Sequence, residues 1–181
     1  VMNAEDAELE ERKGNHVVEV LGGFRRIIAA PKPMDIIVAE SIRALLDADQ
    51  VVIACGGGGI PVLRQGNSLK GASAIIEKDL AAARLACAVD ADLLLILTGV
   101  RKVCLRFGTA EEIAVDKMTV DEARGYLTAG EFEAGSMAPK IEAAVDFVGS
   151  SDKRKTVITR LKEEKPDRVI AGGTVILNAK E

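Results

Sequence analysis

Tryptophan is absent from this chain and tyrosine occurs once, so aromatic residues make up only 3% of 181 positions and cannot dominate the interior. Cysteine is scarce and badly placed for structural work. Cys55, Cys87 and Cys104 are odd in number, far apart and without a CxxC pair, which excludes a disulfide framework and a zinc site and points to a reducing cytoplasm. The single histidine, His16, lies in a ragged opening segment without a Ser, His and Asp pattern around it, and reads as a surface residue. Long apolar runs are missing as well: the best, around Leu93 to Leu97, is far short of the ~20 residues that cross a bilayer. The opening segment carries Glu5, Asp6, Glu8, Glu10 and Glu11 where an export signal needs positive charge, so neither membrane insertion nor export is expected. Basic charge is also in deficit. With 24 basic and 28 acidic side chains the net charge is −4, and without a concentrated Lys and Arg patch nucleic acid is an unsuitable partner.

What remains is aliphatic. Hydrophobic residues reach 48%, mostly Ala, Val, Ile and Leu, a composition suited to strands buried between helices in about one domain. Val17 to Val20 and Arg26 to Ala29, separated by Gly22-Gly23, read as a hairpin that Pro31-Lys32-Pro33 ends. Asp35 is placed to cap a helix whose apolar positions Val38, Ile42, Leu45 and Leu46 share one face. Val51 to Cys55 reads as a fully buried parallel strand delivering the loop Gly56-Gly57-Gly58-Gly59. The run Ala74 to Ile76 leads through Glu77-Lys78-Asp79 into an alanine-rich helix from Leu80 to Val89. Leu93 to Thr98 is the clearest strand, and it ends at Gly99. Thr119 and Glu122 form a capping box for a helix reaching about Ala129, stopped by Gly130. Pro139 suits the first position of a helix bearing Ile141, Ala144, Val145 and Val148. Thr156 to Thr159 and Thr174 to Leu177 complete the strands. This alternation predicts a three-layer α/β/α sandwich with a mainly parallel sheet, and ligands at the carboxyl ends of its strands.

Three segments carry candidate chemistry. Gly56 to Gly59 would let backbone amides approach a phosphate closely, or would simply make a tight turn, since neither the GK[ST] ending of a P-loop nor the GxGxxG spacing is present. Lys78 and Asp79 stand where a strand gives way to a helix, beside an amide-rich helix start; alternatively Asp79 is only a cap and Lys78 a solvated side chain. Lys140 follows Gly135-Ser136-Met137-Ala138-Pro139 at another helix opening, where a lysine can meet a phosphate or merely face water. Brought to one edge of the sheet, glycine amides and two lysines suit phosphoryl transfer, which needs positive charge and alignment more than a covalent nucleophile. Cys55 and Cys87 read as small apolar fillers.

At these residues the sequence resembles the carbamate kinases of the amino-acid kinase superfamily. The resemblance rests on Arg25-Arg26 through Pro31-Lys32-Pro33, on Val51 to Val62 with its four glycines, on Ile76-Glu77-Lys78-Asp79-Leu80-Ala81-Ala82-Ala83, on Ala91 to Thr98, and on Gly135-Ser136-Met137-Ala138-Pro139-Lys140. It implies transfer of a phosphoryl group between carbamoyl phosphate and ADP, with Mg2+ accompanying ATP or ADP. Lys78 would contact the phosphoryl group in flight, Asp79 would hold the lysines, and Lys140 would neutralise the terminal phosphates. Gly56, Gly57, Gly58 and Gly59 would lie against the reacting groups. Thr98, Gly99, Val100, Ser136, Met137 and Pro139 would border the nucleotide. The chain departs from the family pattern at Glu77 and Gly99, where Asp is usual, at Arg101, again Asp, at Cys104, usually Tyr, and at Ala138, usually Gly.

The resemblance further implies that this is the C-terminal, nucleotide-binding half of such an enzyme. Residues 1–24 would be an acidic, poorly ordered or partial lead-in and 25–181 the kinase-like domain, with the N-terminal half missing. A homo-oligomer or a complementing N-terminal half is the expected partner. Two further readings stay open: a catalytically degenerate nucleotide- or partner-binding module, and another kinase of the superfamily.

Overall fold

The computed structural model describes residues 1–161 and 171–178, arranged as two units. The first comprises residues 1–32 and 60–76. Its opening segment is helical rather than unordered: α1 (Ala4–Arg12) starts where Asn3 accepts a hydrogen bond from the Asp6 amide at 2.8 Å. Glu5 and Asp6 sit in its first turn, so the acidity that argued against an export signal here offsets the helix dipole. The expected hairpin follows as β1 (His16–Val20) and β2 (Gly23–Ile27), antiparallel, with Val18 opposite Arg25. A second hairpin, β3 (Val62–Gln65) and β4 (Ser68–Gly71), turns at the two-residue loop Gly66-Asn67, where Gly66 takes the positive φ of +57° that such tight loops need. Ala74 to Ile76 forms no strand; Ala74 makes one isolated parallel bridge to Ala29.

The second unit comprises residues 33–59 and 77–181, of which 162–170 and 179–181 lie outside the described residues. Its sheet is mixed. β5 (Leu93–Thr98) runs parallel to β9 (Lys155–Arg160), β9 is antiparallel to β10 (Thr174–Leu177), and β10 is parallel to β8 (Lys117–Thr119). Two of its three pairings are therefore parallel, as expected, and the antiparallel β9–β10 pair supplies the mixture. A hairpin of β6 (Val103–Leu105) and β7 (Ile113–Val115) precedes β8.

Period-two alternation in β5 places Leu94 and Ile96 inward and leaves Leu95 and Leu97 exposed. Against the inward face lie α3 (Lys78–Ala88), α4 (Val120–Thr128) and α5 (Met137–Val148), which contribute Ala83 and Ala86, Ala123, and Ile141, Ala144, Val145 and Val148 to one core with Ile158 and Ile176. Among the described residues these three helices form a single layer over one face of the sheet. Small alanines on α3 and α5 let the two helices approach closely, which is how a core poor in aromatics is still filled. The capping box of α4 is present in full: Thr119 Oγ1 accepts from the Glu122 amide at 3.2 Å, and Glu122 Oε2 accepts from the Thr119 amide at 2.8 Å. Gly130, with φ +74°, ends the turn that follows.

Three further expectations are corrected. Val51 to Cys55 is neither a strand nor buried; the segment is irregular, with Val51 and Ile53 96% and 97% exposed. An apolar run becomes a strand only where a neighbouring strand takes up its backbone groups, and no described strand pairs with this one. The helix expected after Asp35 begins later, as α2 (Ala39–Asp47), with Val38 at the cap position. The Asp35 carboxylate accepts instead from the neighbouring Ile36 amide. Pro139 occupies the third position of α5, still within the first turn, where its missing amide hydrogen costs nothing.

Candidate phosphoryl-handling site

Two helix starts in the second unit bring together the residues that sequence had separated. Lys78 and Asp79 are the first two residues of α3, and Lys140 is the fourth of α5. Asp79 and Lys140 are 7% and 8% exposed, and the Lys140 ammonium donates to Asp79 Oδ2 at 3.0 Å and to the Ser136 carbonyl at 3.2 Å. A charge buried this deeply has to be paired, and the pair joins the two helices through side chains 61 positions apart. Lys78 Nζ lies 3.4 Å from the same Asp79 Oδ2, so one carboxylate oxygen serves both lysines. Asp79 is thus not the cap, a position Glu77 takes, but the shared anion of the two lysines, and Lys140 is not the exposed first-turn lysine of the simpler reading.

Lys78 is the accessible member, with its side chain 57% exposed, and its shortest contact is to Glu77 Oε1 at 2.7 Å. That hydrogen bond lowers the Glu77 carboxyl below the ordinary carboxylate range, the Lys78 charge adding to it. The same hydrogen bond, with Asp79 and Glu77 charges in support, raises Lys78 above the ordinary lysine range. Lys78 is therefore an ammonium ion at neutral pH. Among the described residues no three His, Cys, Asp or Glu side chains gather to hold a metal ion.

An open cavity of about 300 Å³ adjoins the cluster, lined by Lys78, Cys55 and Gly56 with aliphatic walls from Ile42, Leu46, Ala82 and Leu85. Gly56 is therefore brought to Lys78. The loop around it is strained at its entrance: Cys55 has φ +63°, a left-handed conformation that a side chain disfavours, ahead of Gly56 at +45°. The Gly58 amide donates to the Cys55 carbonyl at 2.8 Å, closing a turn rather than pointing outward. Partial burial pushes the Cys55 thiol up, which argues against a reactive thiolate there.

The remaining candidates are placed less closely. Thr98, Gly99 and Val100 stand at the carboxyl end of β5, Ser136 contributes its carbonyl to Lys140, Met137 packs against the core and Pro139 lies in the helix. Glu77 was noticed in the sequence only as a departure from a family pattern. Glutamate is a poor helix cap, and here its side chain makes no cap hydrogen bond; that mismatch of residue and position was the available signal. The basic residues after β5 are largely spoken for, Lys102 by Asp116 and Arg106 by Glu111.

Two lysines and a shared carboxylate at adjoining helix starts make one charged corner of an α/β unit, where helix amides favour anions. The chain belongs to the amino acid kinase family, whose sequence model matches residues 7–160. It is 48% identical over 173 residues to the carbamate kinase-like protein YqeA of Escherichia coli strain K12, covering 95% of this chain and 56% of that protein. It is 45% identical over 175 residues to the carbamate kinase of Clostridium perfringens, covering 96% and 56%. Among solved structures, carbamate kinase from Giardia lamblia bound to AMP-PNP superposes with a TM-score of 0.87 at 30% identity, over 99% of this chain and 57% of that one. The fold is accordingly carbamate kinase-like, and the chain spans little more than half the length of these relatives. The expectation of a C-terminal half is not borne out by these matches.

Proposed function

We propose that this chain supplies the charged, nucleotide-facing part of a carbamate kinase-like phosphotransferase. The observation that carries the reading is the Lys78–Asp79–Lys140 cluster, in which one buried carboxylate holds two ammonium groups at the amino ends of α3 and α5. In the reaction, a terminal phosphate oxygen of ADP attacks the phosphorus of carbamoyl phosphate, the bond from phosphorus to the carbamoyl oxygen breaks, and carbamate leaves as ATP forms. Charge accumulates on the transferring group and on the leaving oxygen, so fixed cations lower the barrier without a covalent intermediate. Lys78, exposed and next to the cavity, is the group that would meet the phosphoryl oxygens. Lys140, held by Asp79 and the Ser136 carbonyl, would face the nucleotide's terminal phosphates. Magnesium enters this reading as part of the magnesium–nucleotide substrate, carried largely by phosphate oxygens. The names of the relatives support the choice of carbamate kinase over other family members, and the bound AMP-PNP of the Giardia structure supports a nucleotide site. A cytoplasmic location and a homo-oligomer or complementing polypeptide belong to the same proposal.

Calorimetric titration with magnesium ADP tests it. Saturable binding by the wild-type chain, weakened roughly tenfold or more in a folded Lys140→Met variant as expected for a lost charge-assisted hydrogen bond, is the expected result. A folded chain that takes up no magnesium ADP would overturn the reading in favour of a degenerate, partner-binding relative.

A further inference from the structure

We infer that Glu77 is a positioning residue for Lys78, holding its ammonium in place before a phosphoryl ligand arrives and limiting how tightly that ligand is held. The inference rests on the phosphotransferase reading above and assigns a task that the cluster itself leaves unfilled. Asp79 cannot anchor Lys78 alone. Its Oδ2 already accepts from Lys140 at 3.0 Å and stands 3.4 Å from Lys78, a distance at the limit of a hydrogen bond. Lysine carries a long, flexible stem, and an exposed ammonium tied only by that contact would sample many rotamers.

Glu77 supplies the missing restraint. It occupies the cap position of α3 in an extended backbone conformation, φ −66° and ψ 125°, yet makes no cap hydrogen bond; its carboxylate instead accepts from Lys78 at 2.7 Å. The charged groups around Lys78 are Glu77 and Asp79 on its own helix start, with Lys140 of α5 acting on Glu77 from across the cluster. Counted together, Glu77, Lys78, Asp79 and Lys140 sum to zero charge, so Glu77 cancels the net positive charge that the other three would present to an anion.

Two opposed consequences follow, and together they separate positioning from a merely structural role. Replacing the carboxylate by an amide removes a negative charge from beside the anion site, so binding of phosphate-bearing ligands tightens. It also frees Lys78, so turnover falls. Shortening the side chain by one methylene keeps the charge beside the lysine and retains the restraint.

The experiment uses the full chain and its Glu77→Gln and Glu77→Asp variants, labelled at lysine Nζ and followed by NMR across alkaline pH, with magnesium ADP and carbamoyl phosphate titrated separately. Expected for Glu77→Gln are a lower titration midpoint and sharper, more mobile Lys78 signals, with carbamoyl phosphate binding tightened about two- to fivefold, the range of one exposed charge pair. Glu77→Asp should stay close to wild type in both. In any preparation that turns over, Glu77→Gln should lower kcat without raising KM. A Lys78 signal unchanged in midpoint and mobility in Glu77→Gln would overturn the inference, as would weaker ligand binding by that folded variant. Failure of the functional reading looks different: wild-type chain that binds neither ligand, while its Lys78 signal still responds to Glu77→Gln.

Discussion

Asp79 is the residue on which the charged centre turns, because it is nearly buried and accepts from Lys140 while also facing Lys78. Removing one partner of a buried pair leaves the other charge desolvated and uncompensated, so Asp79→Ala should destabilise the fold by about 3 kcal/mol. The double variant Asp79→Leu with Lys140→Met, which removes both charges, should be milder; urea denaturation of the three proteins compares them. The exposed Glu77–Lys78 pair behaves differently. The lowered Glu77 contributes stability that is present above its unfolded pKa, near the ordinary 4.5, and is lost as pH falls through the folded value. The raised Lys78 contributes stability that is present below its unfolded pKa, near the ordinary 10.5, and is lost as pH rises through the folded value. Solvent screening keeps this to less than about 1 kcal/mol, so the difference in stability between wild type and Glu77→Gln should be flat between roughly pH 5 and 10 and vanish at both ends. Cys55 carries the backbone strain of the glycine loop at φ +63°. Relief of a left-handed side chain, about 1–2 kcal/mol, should outweigh the flexibility that glycine adds to the unfolded chain, so Cys55→Gly is expected to be neutral or stabilising. Cys55→Val should be clearly worse than wild type, and thermal melts rank the three. The candidate lysines were legible as residue types at helix starts; that they share one carboxylate oxygen was not, since nothing in local spacing links position 79 to position 140.

At the scale of elements, legibility followed how local the determining interaction was. The α4 capping box was legible because both partners lie within one turn, and Thr119→Ala should cost about 1 kcal/mol. The strands Leu93 to Thr98, Thr156 to Thr159 and Thr174 to Leu177 were legible because their branched, apolar runs found neighbours in the sheet. Val51 to Cys55 has the same composition and failed, because strand formation is a property of a pair and this run has no partner among the described residues. The approach of β10 to β9 depends on a glycine that sequence did not single out. A Cβ at Gly173 would lie 2.7 Å from the Ile158 carbonyl oxygen and 2.7 Å from Thr159 Cβ, both fixed by the sheet. Gly173→Ala should therefore destabilise the second unit by about 2 kcal/mol, the usual cost of overpacking, and lower its melting temperature accordingly.

At the scale of the whole molecule, the exposed Val51 and Ile53 stand out in a stretch that lies within the family match, alongside α2 with Leu45 and Leu46 also exposed. An unpaired apolar segment of this kind invites association, so sedimentation should reveal concentration-dependent self-association that Ile53→Lys reduces. A strictly monomeric wild-type chain at high concentration would contradict that expectation. Sequence by itself determined the α/β class, the helix starts and the residue types suited to phosphate, because hydrophobic period, capping and charge act over a few residues. Only the tertiary structure decided that α1 orders the acidic opening, that Val51 to Cys55 stays unpaired, and that Lys78, Asp79 and Lys140 form one centre with Glu77 beside it. These depend on which distant segments meet, and burial and Coulomb energy are defined only after they have met.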